Sequence, residues 1–486
     1  MTYRQHQALM RATPRRPPVP RRSTPAGAVP AGGVPVPGLV MAPPVPLVGD
    51  GIPVACADGT ERPYLSLDAA ASTAALEPVL ARVQDFIPRY SGVHHGAGQK
   101  TQVATRAYED ARAAALAFAG RIGRHGNTAI ICRNTTEALN QLASRLRLAR
   151  DDLVVTTVAE HHANLLPWSR ATCCYIECDQ GGTFSSGDVV AALDQRPAPR
   201  LLAITGASNI TGWMPPLAPI IAAAHDRGIP VVVDAAQLAP HRPLPANADF
   251  LAWSGDKMYA PFGAGVLLGP ASAFADGDPF LAGDGAVDLA ELDEVVWTEP
   301  PDRDQTGSPN VIGAVALHTA IDTLDGIGWP ALIDHERRIA RLLREGLASI
   351  PGVRLLGPDP EVETLPVATF TVEGVPHALV AARLAAEEAI GVRHGCFGAH
   401  PYLMRLLGLT RQQVHRYRAQ ARPGDRSAMP GAVRASASVN TTEGDIDRLL
   451  DAVERIACGD PPPIPYRQDR LTGDFHPCGN IPGPAG

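Results

Sequence analysis

Lysine is almost missing from this 486-residue chain: Lys100 and Lys257 stand against 41 arginines. Arginine keeps its charge and forms no Schiff base, whereas a lysine can lose its proton and attack a carbonyl. Each remaining amine is therefore informative. Cysteine is sparse too. Cys56, Cys132, Cys173, Cys174, Cys178, Cys396, Cys458 and Cys478 are too few over this length for a secreted disulfide framework. Cys173, Cys174 and Cys178 cluster, but no fourth ligand converges on them and RATCCYIECD reads as an apolar strand, so no metal site is expected. Aromatic residues make up 5%, the net charge is −7, and no basic patch interleaves with aromatics, which argues against a nucleic-acid partner. The chain has no apolar run of the roughly 18 residues a spanning helix needs, so no membrane partner is expected. A cytoplasmic protein is the default expectation.

The 45% hydrophobic content supports a large core, with two domains expected at this length. Residues 1–50 are rich in proline, alanine, glycine and arginine and read as an extended, disordered tail. Prolines and glycines break the apolar run that an export signal would need. Residues 460–486 read as a second tail. Between them, helices alternate with near-continuous apolar strands: TAIICR, DLVVTTVAE, LLAITG and IPVVVDAAQ. That pattern predicts an α/β fold with a mostly parallel sheet and crossover helices, spanning residues 81–320. Residues 321–459 change to a smaller α+β pattern, and the hydrophilic, turn-rich interval 411–432 reads as a mobile loop.

Polar chemistry in such folds gathers where strands end. Lys257 closes the run VVVDAAQLAPHRPLPANADFLAWSGDK, in which one apolar strand delivers Asp234 and a second apolar segment delivers Ser254, Asp256 and the lysine. A retained amine and a strand-end carboxylate make pyridoxal 5'-phosphate (PLP) the leading cofactor. A buried carboxylate can hold a proton on a pyridine nitrogen and so make the ring an electron sink. Gln237 could donate to the ring's phenolic oxygen. Thr135 and Thr136, after TAIICRN, offer hydroxyls and helix-start N–H groups to a phosphate, although NTTEAL fits a plain helix cap equally well. Ser254 could add a further hydroxyl. His161 could stack on a ring and move protons, or be an ordinary core histidine. Arg434, after the 411–432 interval, could grip a carboxylate with both nitrogens, or lie on the surface.

Taken in order, YLSLDAAAS, TTEALN, EHHANLLPW, SNITG, VVVDAAQ, SGDKMYAPFGAGVL, GSPN and VRAS resemble the class V aminotransferase family, in its cysteine desulfurase-like branch. The resemblance implies a PLP-dependent transferase of fold type I, with a seven-stranded sheet in the large domain and a small domain joined by residues 51–80. It also implies a homodimer with shared active sites. On matching positions, Lys257 binds the cofactor covalently, Asp234 pairs with the pyridine nitrogen, and His161 stacks on the ring. Gln237 and Asn209 lie near the ring oxygen, and Asn209 also lies near the substrate. Thr136 and Ser254 hold phosphate, Ser308 reaches the neighbouring subunit's phosphate, and Arg434 clamps the substrate carboxylate.

Two departures stand out. Desulfurases of this branch carry a nucleophilic cysteine in a pattern like R-x-G-x-x-C-A-x-P; here the stretch is RHGCFGAHP, with Gly398 at that position and Cys396 two residues earlier. In an extended loop that displaces the sulfur by roughly 6 Å, against an attack distance of ~3–3.5 Å. Asp256 stands where many relatives carry histidine. The expected reaction is therefore β-elimination from a cysteine S-conjugate or related sulfur amino acid, which needs no protein thiol. Alternatives are a cysteine desulfurase with Cys396 as nucleophile, an aminotransferase, an epimerase or a decarboxylating oxidative deaminase. A non-catalytic PLP-binding scaffold is the alternative from outside enzymology.

Overall fold

A computed structural model describes residues 42–94, 96–121, 126–421 and 424–478. Its largest sheet has seven strands: β1 (Asn127–Cys132), β2 (Leu153–Thr157), β3 (Thr172–Ile176), β4 (Leu201–Thr205), β5 (Val231–Asp234), β6 (Phe250–Ser254) and β7 (Gly265–Pro270). The spatial order is β1-β7-β6-β5-β4-β2-β3, with β7 antiparallel to both neighbours and every other pair parallel. Strands β2, β4, β5 and β6 are buried at every residue, which accounts for their continuous apolar character. Side chains alternate between two cores: Val155, Leu202, Ile204, Val231 and Val233 face one, and Val154, Leu201, Ala203 and Val232 the other. The cysteine-bearing strand β3 lies at the sheet edge with Cys173 and Cys174 half-buried.

A second, four-stranded antiparallel sheet joins Val353–Leu356, Val367–Val372, Ala432–Ser436 and Arg393–Gly395, in that spatial order. Helices Trp329–Ser349, His377–Glu388 and Glu443–Ala457 supply its separate core. The early segment Leu65–Ser66 pairs in parallel with Ile390–Gly391, beside this sheet.

Three expectations need correction. Arg411–Ala421, expected as part of a loop, is a helix. Thr410 and Gln413 form a reciprocal capping pair at its start: Gln413 N–H donates to Thr410 Oγ1 at 3.3 Å and Thr410 N–H to Gln413 Oε1 at 2.8 Å. The segment contains good helix formers but buries none of them, so no apolar stripe announced it. The expected C-terminal tail forms a hairpin, Tyr466–Gln468 with Phe475–Pro477. Tyr466 donates to Glu387 at 3.1 Å, Gln468 donates to the Ser427 carbonyl at 2.9 Å, and Arg470 pairs with Asp425. The last part of the expected N-terminal tail also packs. Val45 and Leu47 are buried, and Val45 N–H donates to the Val439 carbonyl at 3.0 Å. Residues 1–41 and 479–486 of the two expected tails lie outside the described residues. Among the described residues, no single helix is long and apolar enough to cross a membrane.

One glycine couples the sheet to the helix Thr135–Arg145. A Cβ on Gly265, the first residue of β7, would lie 2.7 Å from the Asn134 Cα and 2.9 Å from the Trp253 carbonyl oxygen. Both are backbone atoms that cannot move aside independently. Gly265→Ala is therefore expected to cost about 1–3 kcal/mol in a urea titration, through displacement of that helix start from β7.

Candidate active site

The sheet register lines up the functional strand ends. Asp234 pairs with Thr205 on one side and Ala252 on the other, while Ser254 pairs with Gly265, and Gly265 with Cys132. With neighbouring strands about 4.8 Å apart, Asp234, the end of β6 and the helix start after β1 form one continuous rim. Strand β6 leads into a single tight turn, Gly255–Lys257. A Cβ at Gly255 would approach the Ala264 and Ala260 carbonyl oxygens to 3.0 and 3.1 Å, so the turn has no room for a side chain. It presents Lys257, whose Nζ lies 3.5 Å from Asp256 Oδ2. The lysine acts electrostatically on both Asp234 and His161.

Asp234 is buried and accepts a hydrogen bond from Ala236 N–H at 3.0 Å. Burial lifts its carboxyl to about 6, against the opposing pull of that N–H and of Lys257. His161 accepts from Ala163 N–H at its Nδ1, at 3.1 Å, so a neutral ring carries its proton on Nε2. Burial first, then Lys257, His162 and Arg434, pull this histidine down to about 4. A neutral, flat imidazole thus lies at the end of β2.

Helix Thr135–Arg145 is capped by Asn134, whose side chain accepts from Glu137 N–H at 3.0 Å, rather than by either threonine. That leaves the Thr135 hydroxyl buried without a hydrogen-bond partner among the described residues. Thr136 is exposed in the same first turn. Ser254 is buried, and its hydroxyl donates to Asp256 Oδ1. Gln237 is buried and donates to the Ala70 carbonyl at 2.8 Å, leaving its second N–H available. Ser308 is exposed in the stretch before helix Val311–Ile327, and no hydrogen bond or ion pair among the described residues joins it to the other candidates.

Arg434 and Asn209 meet. Arg434 is buried and donates to the Asn209 carbonyl at 3.0 Å and to Asp68 at 3.1 Å, while its Nε has no partner among the described residues. Burial lowers this guanidinium to about 10, which leaves it charged at neutral pH. The loop 396–399 lies over both residues. Asn209 Nδ2 donates to the Phe397 carbonyl at 2.8 Å, and the Arg434 guanidinium lies 5.0 Å from the Phe397 ring centre. Phe397 and Gly398 both adopt left-handed backbone, with φ of 52° and 68°. A Cβ on Gly398 would collide with the His161 ring, including Cδ2 at 2.8 Å. Cys396 donates its thiol to the Pro430 carbonyl at 3.1 Å, and burial pushes it up to about 11.

Two acids were missed in the sequence. Asp68 pairs with both Arg434 and Arg393, at 3.1 and 2.7 Å. Glu160 is fully buried beside His161 and accepts from Thr157 Oγ1 at 2.7 Å, Asn164 Nδ2 at 2.6 Å and Thr205 N–H at 3.0 Å. Burial lifts it to about 8 despite these bonds. Glu160 closes the apolar run DLVVTTVAE, which was a visible signal; Asp68 stands in the matching stretch YLSLDAAAS, but its pairing with Arg434, 366 residues away, was not legible. Away from this rim, His94, Glu109 and Asp302 bring possible ligand atoms within 4.8 Å of one another. Arg112 already pairs with both acids there, at 2.8 and 2.6 Å.

The donor set suits a phosphorylated pyridine aldehyde. It has an amine for the carbonyl, a buried carboxylate for the ring nitrogen, a neutral imidazole, and an orphaned hydroxyl at a helix start for the phosphate. The family model described as aminotransferase class-V matches residues 65–449. The chain belongs to this family. It is a PLP-dependent enzyme of the transferase or lyase kind. A probable cysteine desulfurase from Halalkalibacterium halodurans is 31% identical over 410 residues, covering 81% of this chain and 93% of that protein. A cysteine desulfurase from Dickeya dadantii is 31% identical over 430 residues, covering 85% and 97%. A cysteine desulfurase structure from Thermococcus onnurineus NA1 superimposes with a TM-score of 0.72 at 29% identity, covering 82% of this chain and 95% of that one.

The raised carboxyl of Asp234 makes a pH prediction. Between its ordinary value of 3.8 and about 6, the folded protein keeps a proton that the unfolded chain has released. Its contribution to stability therefore falls as pH rises through that window, and the penalty persists above it. In the cofactor-free protein, Asp234→Asn is expected to be more stable than wild type by about 1–3 kcal/mol at pH 7. The gain should vanish by about pH 4, as read by urea unfolding across pH.

Proposed function

We propose that this enzyme cleaves the C–S bond of a cysteine S-conjugate or related sulfur amino acid by β-elimination. Substrate and water become a thiol, pyruvate and ammonium, with no sulfur passing through the protein. The observation that carries this reading is the loop over Arg434: glycine stands at the position of the desulfurase nucleophile, and its neighbour Cys396 is tied to the Pro430 carbonyl with a raised pKa. A thiol held that way supplies little thiolate at neutral pH.

Bound PLP supplies the electron sink for charge developing at the substrate Cα. Lys257 would hold the cofactor and, once released by the incoming amine, take the Cα proton. Asp234 would keep a proton on the ring nitrogen, Gln237 would donate toward the ring oxygen, and neutral His161 would cover the ring face. The Thr135–Thr136 helix start and Ser254 would hold the phosphate. Arg434 and Asn209 would orient the substrate carboxylate, once Phe397 gives up its contacts with both. Gly398 projects no side chain and packs directly on the His161 ring, so no thiol is available there to accept sulfur. The exposed position of Ser308 fits a role across a homodimer interface, and light scattering is expected to give twice the 51.1 kDa chain mass.

The second reading, a cysteine desulfurase using Cys396, is favoured by the names of the relatives. One experiment separates the two. PLP-loaded wild type and Cys396→Ala are incubated with cysteine and a panel of cysteine S-conjugates, with products followed by mass spectrometry. Thiol plus pyruvate is expected, with rates that agree within about twofold between the two proteins, well inside the loss that removing a true nucleophile causes. Alanine and a protein persulfide that disappear in Cys396→Ala would overturn the lyase, and so would oxygen-dependent aldehyde with carbon dioxide.

A further inference from the structure

Asp256 occupies the corner where the cofactor's phosphate would go. Its Oδ1 receives the hydroxyl of buried Ser254, and its Oδ2 lies 3.5 Å from Lys257 Nζ. The acid therefore engages the hydroxyl that would serve the phosphate and the amine that would meet the carbonyl. Its main chain is held firmly. The Asp256 carbonyl accepts from Thr73 N–H at 2.7 Å, Ser72 Oγ at 3.1 Å and Thr73 Oγ1 at 3.2 Å. Thr73 Oγ1 in turn accepts from Tyr259 N–H at 2.7 Å, on the far side of the turn. With its root fixed on both sides, the carboxylate can leave the corner only by side-chain rotation.

We propose that Asp256 sets the cofactor selectivity of this site. It acts as an internal anion that competes with the phosphate for Ser254, so that phosphate contributes little to cofactor retention and unphosphorylated pyridoxal binds almost as well as PLP. A phosphate entering the corner must take Ser254 from Asp256 and then sit beside a like charge. The orphaned Thr135 hydroxyl and the N–H groups of its helix start remain to receive it. The inference rests on the reading that Thr135 and Ser254 hold the phosphate.

The test measures dissociation constants of PLP and of pyridoxal for cofactor-free wild type, Asp256→Asn and Thr135→Val, by calorimetry. The quantity of interest is the ratio of the pyridoxal constant to the PLP constant. Effects on Lys257 itself act on both constants of a given variant alike, and the internal cyclisation of pyridoxal is the same for every variant, so both cancel in the comparison. Asp256→Asn is expected to raise the ratio by about tenfold or more, the equivalent of one removed like-charge contact, chiefly through tighter PLP binding. Asp256→Ser serves the same purpose if the asparagine variant misfolds. An unchanged or lower ratio would overturn the proposal. Thr135→Val separates the two levels of failure. If it weakens PLP alone while Asp256→Asn has no effect, the phosphate reading stands and the Asp256 inference falls. If it weakens both ligands equally, the phosphate lies elsewhere and both fall.

Discussion

Strand β6 is the constraint on which the chemistry of this molecule depends. It hydrogen-bonds in parallel to β5 on one side and antiparallel to β7 on the other. Its register sets Ala252 beside Asp234 and Ser254 beside Gly265, and the turn that follows delivers Asp256 and Lys257. A slip of one residue would reverse the facing of every side chain in the strand and send Trp253 to the opposite core. The candidate site is therefore positioned by backbone pairing deep in the sheet, and the loop 396–399 closes over a rim already in place.

The sheet was legible because buried parallel strands are written as uninterrupted apolar runs, and the turn after β6 because it carries one of only two lysines. Asp234 and His161 could be placed at strand ends from the same pattern. What was not legible depended on distant partners. The Asp68–Arg434 pair joins segments 366 residues apart, and the Cys396–Pro430 contact depends on the path of a segment 34 residues later. Arg411–Ala421 hid its helical nature because a helix that buries nothing has no apolar stripe. Asn134 took the cap expected of its threonine neighbours, and this frees the Thr135 hydroxyl for another partner.

Gly398 is more than a missing cysteine. Its left-handed backbone and lack of Cβ let the loop close against His161, with His162 N–H bonded to the Gly398 carbonyl at 2.7 Å. Phe397 holds a left-handed conformation that costs a non-glycine residue about 1–2 kcal/mol, offset by its contacts with Asn209 and Arg434. Glycine, phenylalanine and the tethered Cys396 thus act as one unit. A thiol restored at position 398 alone would displace the loop before it could meet a substrate.

The C-terminal hairpin lies beyond the family match, which stops at residue 449. It nevertheless grips the region around this loop: Asp474 pairs with His394 at 3.2 Å, and Arg470 with Asp425, close in sequence to the Pro430 carbonyl that receives Cys396. Synthesis on the ribosome runs in one direction. The large sheet can assemble while the chain is still growing, but the fastening around Cys396 must wait until residues 466–477 have left the exit tunnel. The loop over the candidate site is thus fastened by a segment synthesised after the whole of the family-matched region.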